Sequence, residues 1–160
     1  MVGHKIILSG VDGSGKSTLA KKLQIQKKQG FDMDYKIVHS TRNTQNDLEY
    51  FITLLNSEDN IIFDRFYADQ FVYQTSIQRK NYNWLSLVDL YIIENNIIKN
   101  NHECILVDTD LNLCLMSCLK DSDDSLYNIK YIEQLYNRYW YFTQYISEVG
   151  WLVLNNDYEG

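Results

Sequence analysis

The segment from Gly10 to Ser17, GVDGSGKS, matches the pattern G-x-x-x-x-G-K-[ST] at every fixed position. A short apolar run, Lys5–Ser9, precedes it and an amphipathic stretch, Lys16–Gln29, follows it, which predicts the strand–turn–helix context that the pattern requires. Glycines let the backbone turn its N–H groups toward an anion, and the start of the helix adds the positive end of its dipole. The sequence therefore predicts a phosphate-binding loop. Its predicted contact residues are Gly10, Asp12, Gly13, Ser14, Gly15, Lys16, Ser17 and Thr18.

Three side chains of this loop carry distinct chemistry. Lys16 offers a mobile positive charge for the β- and γ-phosphates of a nucleotide, and the Ser17 hydroxyl is a ligand for Mg²⁺. The presence of Asp12 requires a separate explanation, because a carboxylate inside a phosphate-binding loop repels phosphates. It is interpreted either as a hydrogen-bond partner for a second substrate's hydroxyl or for water on Mg²⁺, or as a solvated turn residue.

A second candidate lies at the end of the predicted strand Asn60–Asp64, where Arg65 follows directly. A carboxylate at a strand end beside the loop can hold Mg²⁺ through water. An adjacent guanidinium can bind phosphoryl oxygens through two parallel hydrogen bonds. Asp64 is therefore predicted to bind the metal and Arg65 to act in catalysis. The alternative is a structural ion pair between the two residues.

Two further charged residues are associated with predicted strand ends. Arg42 comes shortly after the strand Tyr35–His39, where an acceptor with its own phosphate would need a cation; an ordinary surface arginine is the alternative. Asp108 closes the strand Cys104–Asp108 and is a second candidate for Mg²⁺. A helix-capping or structural acid is the favoured interpretation of Asp108.

Short apolar runs alternate with longer amphipathic stretches along the whole chain. The predicted strands are Lys5–Ser9, Tyr35–His39, Asn60–Asp64, Cys104–Asp108 and Trp151–Leu154. The predicted helices are Lys16–Gln29, Asp47–Asn56, Phe66–Arg79, Asn83–Lys99, Leu111–Lys120 and Leu126–Glu148. Short, nearly continuous apolar strands are typical of a parallel sheet that is buried on both faces. The alternation predicts a doubly wound α/β protein, and together with the phosphate loop it indicates the three-layer P-loop NTPase fold, a five-stranded parallel sheet flanked by helices.

Composition limits the remaining classes. A length of 160 residues predicts a single domain, 1–160. The net charge of −6 argues against a nucleic-acid polymer as partner, because such proteins present a basic face. The three cysteines form no Cys-x-x-Cys pair and are interpreted as buried apolar residues in a reducing cytosol. No apolar run approaches the ~20 residues of a membrane span, and the first is too short for a signal peptide, so we expect a cytoplasmic protein without a membrane partner.

Three segments resemble the thymidylate kinase family of P-loop nucleoside monophosphate kinases. Gly10–Thr18 is similar to that family's phosphate loop, including its aspartate. Asp64–Gln74 is similar to the family's Asp-Arg-Tyr…Ala-Tyr-Gln segment, and Tyr131–Leu135, leading to Tyr139, resembles the helix after its lid. With the order of strands along the chain, the likeness covers most of the sequence.

The resemblance implies ATP and Mg²⁺ as cofactors and a small-molecule nucleotide as the partner. Lys16 and the loop amides would hold the ATP phosphates, and Arg65 would contact the transferring phosphoryl group. Relatives in the family form homodimers through helices that flank the sheet, so the resemblance also implies a homodimer.

The resemblance implies an acceptor side as well. Asp12 would face the acceptor sugar and Arg42 would meet the acceptor phosphate. Tyr73 would pack near the sugar and favour a 2′-deoxy substrate, and Gln74 belongs to the same substrate-binding segment. Phe51 is the candidate for a helix aromatic that stacks on the base, although a phenylalanine on an apolar helix face is ordinarily part of the core.

Two of the chain's departures from the family concern the turn after the second strand and the lid. Only Arg42 remains of the Arg-Glu-Pro-Gly-Gly turn after the second strand, and the chain contains no proline. The lid segment Lys120–Ser125 is short, acidic and without arginine. An arginine at this place can raise the rate of phosphoryl transfer by roughly 10³-fold or more. Arg79, Lys120 or Arg138 would have to supply the missing positive charge. These departures leave the base specificity open.

The sequence thus favours a deoxynucleoside monophosphate kinase, which converts ATP and a dNMP to ADP and a dNDP, with dTMP as the preferred acceptor. One alternative is a deoxynucleoside kinase acting on a 5′-hydroxyl. It would need a carboxylate base where this chain has Arg42. The other alternative, which the short acidic lid favours, is a nucleotide-binding module without turnover.

Overall fold

A computed structural model shows five strands and six α-helices in the described part of the chain. The strands are β1 (Lys5–Ser9), β2 (Tyr35–Val38), β3 (Asn60–Asp64), β4 (Glu103–Asp108) and β5 (Trp151–Asn155). The helices are α1 (Lys16–Phe31), α2 (Leu48–Leu55), α3 (Tyr67–Gln74), α4 (Leu87–Lys99), α5 (Leu111–Lys120) and α6 (Ser125–Tyr141). The structure describes residues 1–11, 13–40, 47–74, 85–120 and 125–156, with the backbone alone at 117–120 and 125–129.

The strands form one parallel sheet in the order β2-β3-β1-β4-β5. This confirms the predicted α/β fold with a five-stranded parallel sheet flanked by helices. The central position of β1 explains why all five of its residues are buried. Its burial on both faces is what the continuous apolar run predicts.

Alternate residues of the central strands supply two separate cores, one on each face of the sheet. Ile7 and Phe63 belong to the larger core, to which α2, α3, α4 and α6 contribute. Ile6, Leu8 and Ile62 belong to the smaller core, which packs against α1. The helices therefore pack against both faces of the sheet.

Two helix boundaries, the start of α4 and the end of α6, differ from the prediction by four residues or more. α4 begins at Leu87 rather than Asn83, because Ser86 and Asp89 form a reciprocal capping box with two hydrogen bonds of 3.0 Å. α6 ends at Tyr141 and is followed by a π-helical turn rather than by continued α-helix. In both cases the apolar periodicity extends past the hydrogen bonds that define the helix end.

A buried carboxylate on α4 joins this helix to α3 and to the segment before β5. Glu94 is only 3% exposed, and its Oε2 accepts hydrogen bonds from Tyr67 Oη at 2.7 Å and from the Ser147 hydroxyl. Its Oε1 accepts from the Glu148 N–H at 2.8 Å. Burial raises the pKa of Tyr67 well above its usual range, so the phenol stays a donor. Because donors satisfy both oxygens, Glu94 has a structural role remote from the site described below.

The amino edge of the sheet contains a buried lysine beside a histidine. The Lys5 side chain is fully buried, and its Nζ donates to the carbonyl oxygens of Gly3, Ser57 and Asp59 at 2.8, 2.9 and 2.6 Å. The Lys5 N–H donates to His102 Nδ1 at 3.1 Å, which requires that nitrogen to be unprotonated. Burial, and then the charge of Lys5, lowers the pKa of His102 to about 4.

We expect the free energy of unfolding to fall as the pH is lowered from 6.5, the ordinary pKa of histidine, toward about 4. In this range the unfolded chain binds a proton at His102 that the folded chain does not bind, so acid favours unfolding. Above this range the contribution of His102 is constant. The His102→Gln variant keeps an acceptor but cannot be protonated, so its stability should depend less on pH. Urea unfolding of both proteins at several pH values measures the difference, and parallel curves would contradict the assignment.

Among the residues that the structure describes, no helix is both long enough and apolar enough to span a membrane. Cys104 and Cys114 are buried free thiols, as predicted from their spacing. The side chain of Cys118 lies outside the described residues.

Candidate active site

The carboxyl ends of β1 and β3 lie side by side. The two strands pair in parallel with Leu8 opposite Asp64, so the chain leaves β1 toward Gly10 and leaves β3 at Arg65 on the same edge. Ligands of open α/β sheets bind at this edge. The fold therefore brings together the glycine-rich loop and the Asp64-Arg65 pair, which are remote in sequence.

The loop turns at glycines whose conformation other residues adopt only with strain. Gly10 has a φ of 155°, and a Cβ there would lie 2.7 Å from the Val107 carbonyl oxygen and 3.1 Å from Ser14 Oγ. Gly15 has a φ of 89° and is the N-cap of α1, so no side chain caps this helix. Thr18 is exposed in the first turn, which contains no acidic residue. The positive end of α1 is thus left to attract an anion.

Residues after β4 and β5 hold the loop from behind. The Ser14 carbonyl oxygen accepts a hydrogen bond from Asn156 Nδ2 at 2.9 Å. The Thr109 hydroxyl is 2.7 Å from this oxygen and also 2.7 Å from the Asn156 carbonyl oxygen, so its one proton is available to either. Gly13, with a φ of 83°, precedes Ser14. Ser14 Oγ is buried and has no hydrogen-bond partner among the described residues, so the loop retains a polar atom for a ligand.

Lys16 lies across this loop. Its side chain is 6% exposed, and its Nζ donates a hydrogen bond to the Gly10 carbonyl oxygen. The same nitrogen is 3.4 Å from Asp69 Oδ1 and 5.9 Å from the centre of the Tyr139 ring. A buried ammonium group in a loop of this type is available to the phosphates of a nucleotide.

Ser17 and Asp64 form a pair that fits a magnesium ion. Ser17 Oγ donates to Asp64 Oδ2 at 2.5 Å, and His39 Nδ1 lies 3.4 Å from the same oxygen. Asp64 Oδ1 is buried without a hydrogen-bond partner among the described residues, which suits a water or a cation. Hydroxyl and carboxylate oxygens are the ligand types that Mg²⁺ takes, and phosphate oxygens and water complete its shell. The described side chains include no cluster of three His, Cys, Asp or Glu residues that would hold a metal by themselves.

Arg65 occupies a strained position directly after β3. Its φ of 98° lies in the left-handed region, which costs about 1–3 kcal/mol for a residue with a side chain. The guanidinium carbon lies 5.3 Å from the centre of the Tyr73 ring, a cation–π distance. The Arg65 charge also acts on the Tyr139 phenol. Arg65 therefore belongs to the same cluster as Lys16, and strain of this kind is concentrated at functional sites.

Asp69 and Tyr139 are residues of this site to which sequence reasoning assigned no role, as are His39, Thr109 and Asn156. Asp69 is completely buried beside Lys16, and Tyr139 Oη donates to Asp69 Oδ1 at 2.5 Å. Burial raises the pKa of Tyr139 well above its usual range, so the phenol stays protonated. The family resemblance spans both positions, but an acid two residues after the start of α3 is ordinary for a helix N-terminus and Tyr139 stands in a tyrosine-rich helix, so neither residue type indicated a role.

Two predicted substrate residues are not brought to the site. Phe51 is fully buried in the larger core, with its ring against Tyr50 and Phe66, so it presents no exposed face among the described residues. The Gln74 amide both donates to the Leu85 carbonyl oxygen and accepts from the Leu85 N–H, each at 2.7 Å. These contacts give both residues a structural role, and their expected contacts with the base and the acceptor stay predictions.

The remaining predicted residues divide into two groups. Asp12, Arg42, Arg79 and the Lys120 side chain lie outside the described residues, as does the predicted helix after Gln74. Asp108 and Arg138 are described. Asp108 Oδ1 accepts from Tyr136 Oη at 2.9 Å, which supports its interpretation as a structural acid, and Arg138 is half-buried on α6.

The parallel sheet and the loop that follows its central strand define the class: the chain has the P-loop NTPase fold. Among solved structures it resembles the YorR protein from Bacillus subtilis in complex with phosphorylated GDP. The two are 26% identical with a TM-score of 0.75, and the match covers 96% of this chain and 85% of YorR.

The chain also resembles deoxyadenosine kinase from M. mycoides in two states. The structure with products dCMP and a flexible dCDP is 21% identical with a TM-score of 0.56, covering 94% of this chain and 89% of that one. The structure with bound dATP is 18% identical with a TM-score of 0.55, covering 95% and 91%. These likenesses establish that the fold is one that nucleotide kinases share. No protein-family profile matches the sequence, and no curated protein matches it.

Proposed function

We propose that this protein transfers the γ-phosphoryl group of ATP to the phosphate of a deoxynucleoside monophosphate, with dTMP as the acceptor that the sequence resemblance favours. The observation that carries the proposal is the convergence of Lys16, the Ser17–Asp64 pair and Arg65 at one edge of the sheet. A loop with an uncapped helix N-terminus binds a polyphosphate, and a second cation beside it serves a transferring group.

Each residue has a defined part in such a transfer. The loop N–H groups and Lys16 bind the β- and γ-phosphates, while Arg65 stabilises charge on the transferring phosphoryl group. The reaction is an in-line displacement in which the acceptor phosphate oxygen attacks the γ-phosphorus and the ADP oxygen leaves. A phosphate oxygen is already ionised, so the chain needs no strong general base.

Ser17 and Asp64 are the residues that would hold magnesium. Asp64 supplies a buried oxygen without a partner among the described residues, and Ser17 supplies a hydroxyl beside it. When bound, Mg²⁺ neutralises charge on the phosphate oxygens. Ser17 and Asp64 would then hold the ion in place of the hydrogen bond between them.

The acceptor side rests on fewer contacts. Tyr73 lies beside Arg65, with its ring centre 5.3 Å from the guanidinium carbon, and its expected place near the acceptor sugar rests on the family resemblance. We assign the acceptor phosphate to Arg42 and the acceptor sugar to Asp12, on the strength of the family resemblance alone. The YorR complex contains phosphorylated GDP, which supports a nucleotide ligand and makes a guanine nucleotide the second acceptor to compare with dTMP.

The test is to supply ATP and Mg²⁺ with dTMP, dGMP, dCMP or thymidine in separate reactions and to separate the nucleotide products. We expect ADP and a dNDP in stoichiometric amounts with at least one of the monophosphates, and no product with thymidine. ADP formed with thymidine but with no monophosphate would overturn the proposal in favour of a deoxynucleoside kinase. ATP binding without turnover on any acceptor would overturn it in favour of a nucleotide-binding module.

A further inference from the structure

Asp69 makes more polar contacts than any role proposed above requires. Its side chain on α3 is completely buried. Its Oδ2 accepts hydrogen bonds from Ser9 Oγ at 3.1 Å and from the Phe66 N–H at 2.9 Å. Its Oδ1 accepts from Tyr139 Oη at 2.5 Å and lies 3.4 Å from Lys16 Nζ.

These contacts fix the carboxylate on three elements. Ser9 is the last residue of β1, Phe66 precedes α3, and Tyr139 lies on α6. A buried charge is tolerated only when it is paired and hydrogen-bonded, and here three neutral donors orient the two oxygens before Lys16 is considered. The Asp69 carboxylate therefore has a fixed orientation and can restrain a flexible side chain that pairs with it.

Lys16 is the mobile side chain in this arrangement. A lysine stem loses about 1.5–2 kcal/mol of rotamer entropy when it is ordered. Here the Gly10 carbonyl oxygen and Asp69 Oδ1 hold the ammonium group at the loop. A cation ordered in advance stabilises a transition state without further reorganisation.

We propose that Asp69 is a positioning residue for Lys16. The carboxylate, oriented by Ser9, Phe66 and Tyr139, holds the ammonium group at the phosphate loop, and the Tyr139 bond makes α6 part of this arrangement. The role in turnover rests on the proposed function. The contact by which Asp69 restrains the Lys16 amine does not depend on the proposed function.

A simpler explanation is that Asp69 only caps α3, since its bond to the Phe66 N–H is a helix-capping contact. The two explanations predict different results for nucleotide binding. Asp69 is an anion near the place where phosphates bind, so its neutral replacement removes a repulsion. Loss of positioning should therefore lower kcat without weakening ATP binding, whereas loss of a cap should lower stability alone.

The test uses Asp69→Asn, which keeps the shape and one acceptor oxygen but removes the charge that holds Lys16. We expect kcat to fall roughly ten- to hundredfold, the range for residues that orient an active-site ligand. We expect the Kd of a non-hydrolysable ATP analogue to be unchanged or lower. The Tyr139→Phe variant removes one hydrogen bond and should show a smaller decrease in kcat.

The second readout needs no turnover. Lys16 acylation by an amine-reactive reagent, followed by peptide mass spectrometry, reports how firmly its amine is held. We expect Asp69→Asn to raise this rate at least about fivefold relative to the exposed Lys22 of the same chain, since the buried ammonium group loses its ionic partner. If no acceptor is phosphorylated, the proposed function fails while this measurement still decides the role of Asp69.

Glu94→Gln is the matched control, because Glu94 is also a buried carboxylate that accepts three hydrogen bonds. It should lower the melting temperature and leave both kcat and the Lys16 acylation rate unchanged. The positioning role is overturned if Asp69→Asn matches this control, with a lower melting temperature but unchanged kcat and unchanged Lys16 acylation. It is equally overturned if Asp69→Asn weakens ATP binding in proportion to the loss of kcat.

Discussion

Lys16→Ala should lower kcat by roughly 10²-fold or more, since a preorganised cation at the transferring phosphates is lost. The structure strengthens this expectation, because the Lys16 ammonium is buried at the loop and is held by the Gly10 carbonyl oxygen and by Asp69. Initial rates at saturating ATP and acceptor measure the effect. A melting curve shows whether the variant is folded, because the substitution leaves Asp69 without its cation.

Lys22→Ala is the matched control for this measurement. Lys22 lies on the same helix but is exposed, so its replacement changes the net charge by the same amount outside the loop. We expect its kcat to be within about twofold of the unaltered protein, as for surface substitutions in general. If Lys16→Ala retained the same rate as this control, the Gly10–Ser17 loop would not be the site of phosphoryl transfer.

Arg65→Ala should also lower kcat by roughly 10²-fold, through loss of the charge that faces the transferring group. The substitution does not relieve the backbone strain, because alanine at a φ of 98° is strained like any residue with a Cβ. Stability should change little for this reason, and the effect should be confined to turnover. Rates at saturating substrate and a melting curve test both parts.

Arg65→Lys separates charge from geometry. Lysine restores the positive charge but cannot form two parallel hydrogen bonds to phosphoryl oxygens, so we expect only partial recovery of kcat. Full recovery would show that a simple charge is sufficient at this position. Near-normal turnover by Arg65→Ala would show that the assignment of Arg65 to the reaction is wrong.

The parts of this protein that could be predicted from sequence are those in which local signals agree. The strand before Gly10, the loop and α1 are consecutive, and the glycines have positive φ values that their residue type predicts. Strand–helix alternation predicts a parallel sheet whose carboxyl ends share one edge, whereas the pairing of β1 with β3, which brings Asp64 and Arg65 to the loop, is a finding of the structure. The fold class and the residues of the phosphate-binding loop could therefore be predicted from the sequence.

Side-chain contacts between residues that are far apart in the sequence could not be predicted from local signals. Tyr139 and Asp69 are 70 positions apart, and their hydrogen bond depends on how α6 packs against α3. Phe51 and Gln74 have residue types that suit a binding site, yet one packs in the core and the other pairs with Leu85. Motif similarity predicts which residue stands at a position, whereas packing decides which way its side chain faces.

The hydrogen bonds to the Ser14 carbonyl oxygen have a consequence for when this site exists at all. The loop is synthesised before Thr109 and Asn156, which hold it and which follow β4 and β5. A nascent or shortened chain that lacks β5 therefore has the whole glycine-rich sequence without the support that shapes it. If the loop binds a nucleotide as proposed, its affinity depends on the presence of β5, and by thermodynamic linkage the bound nucleotide stabilises the docking of β5.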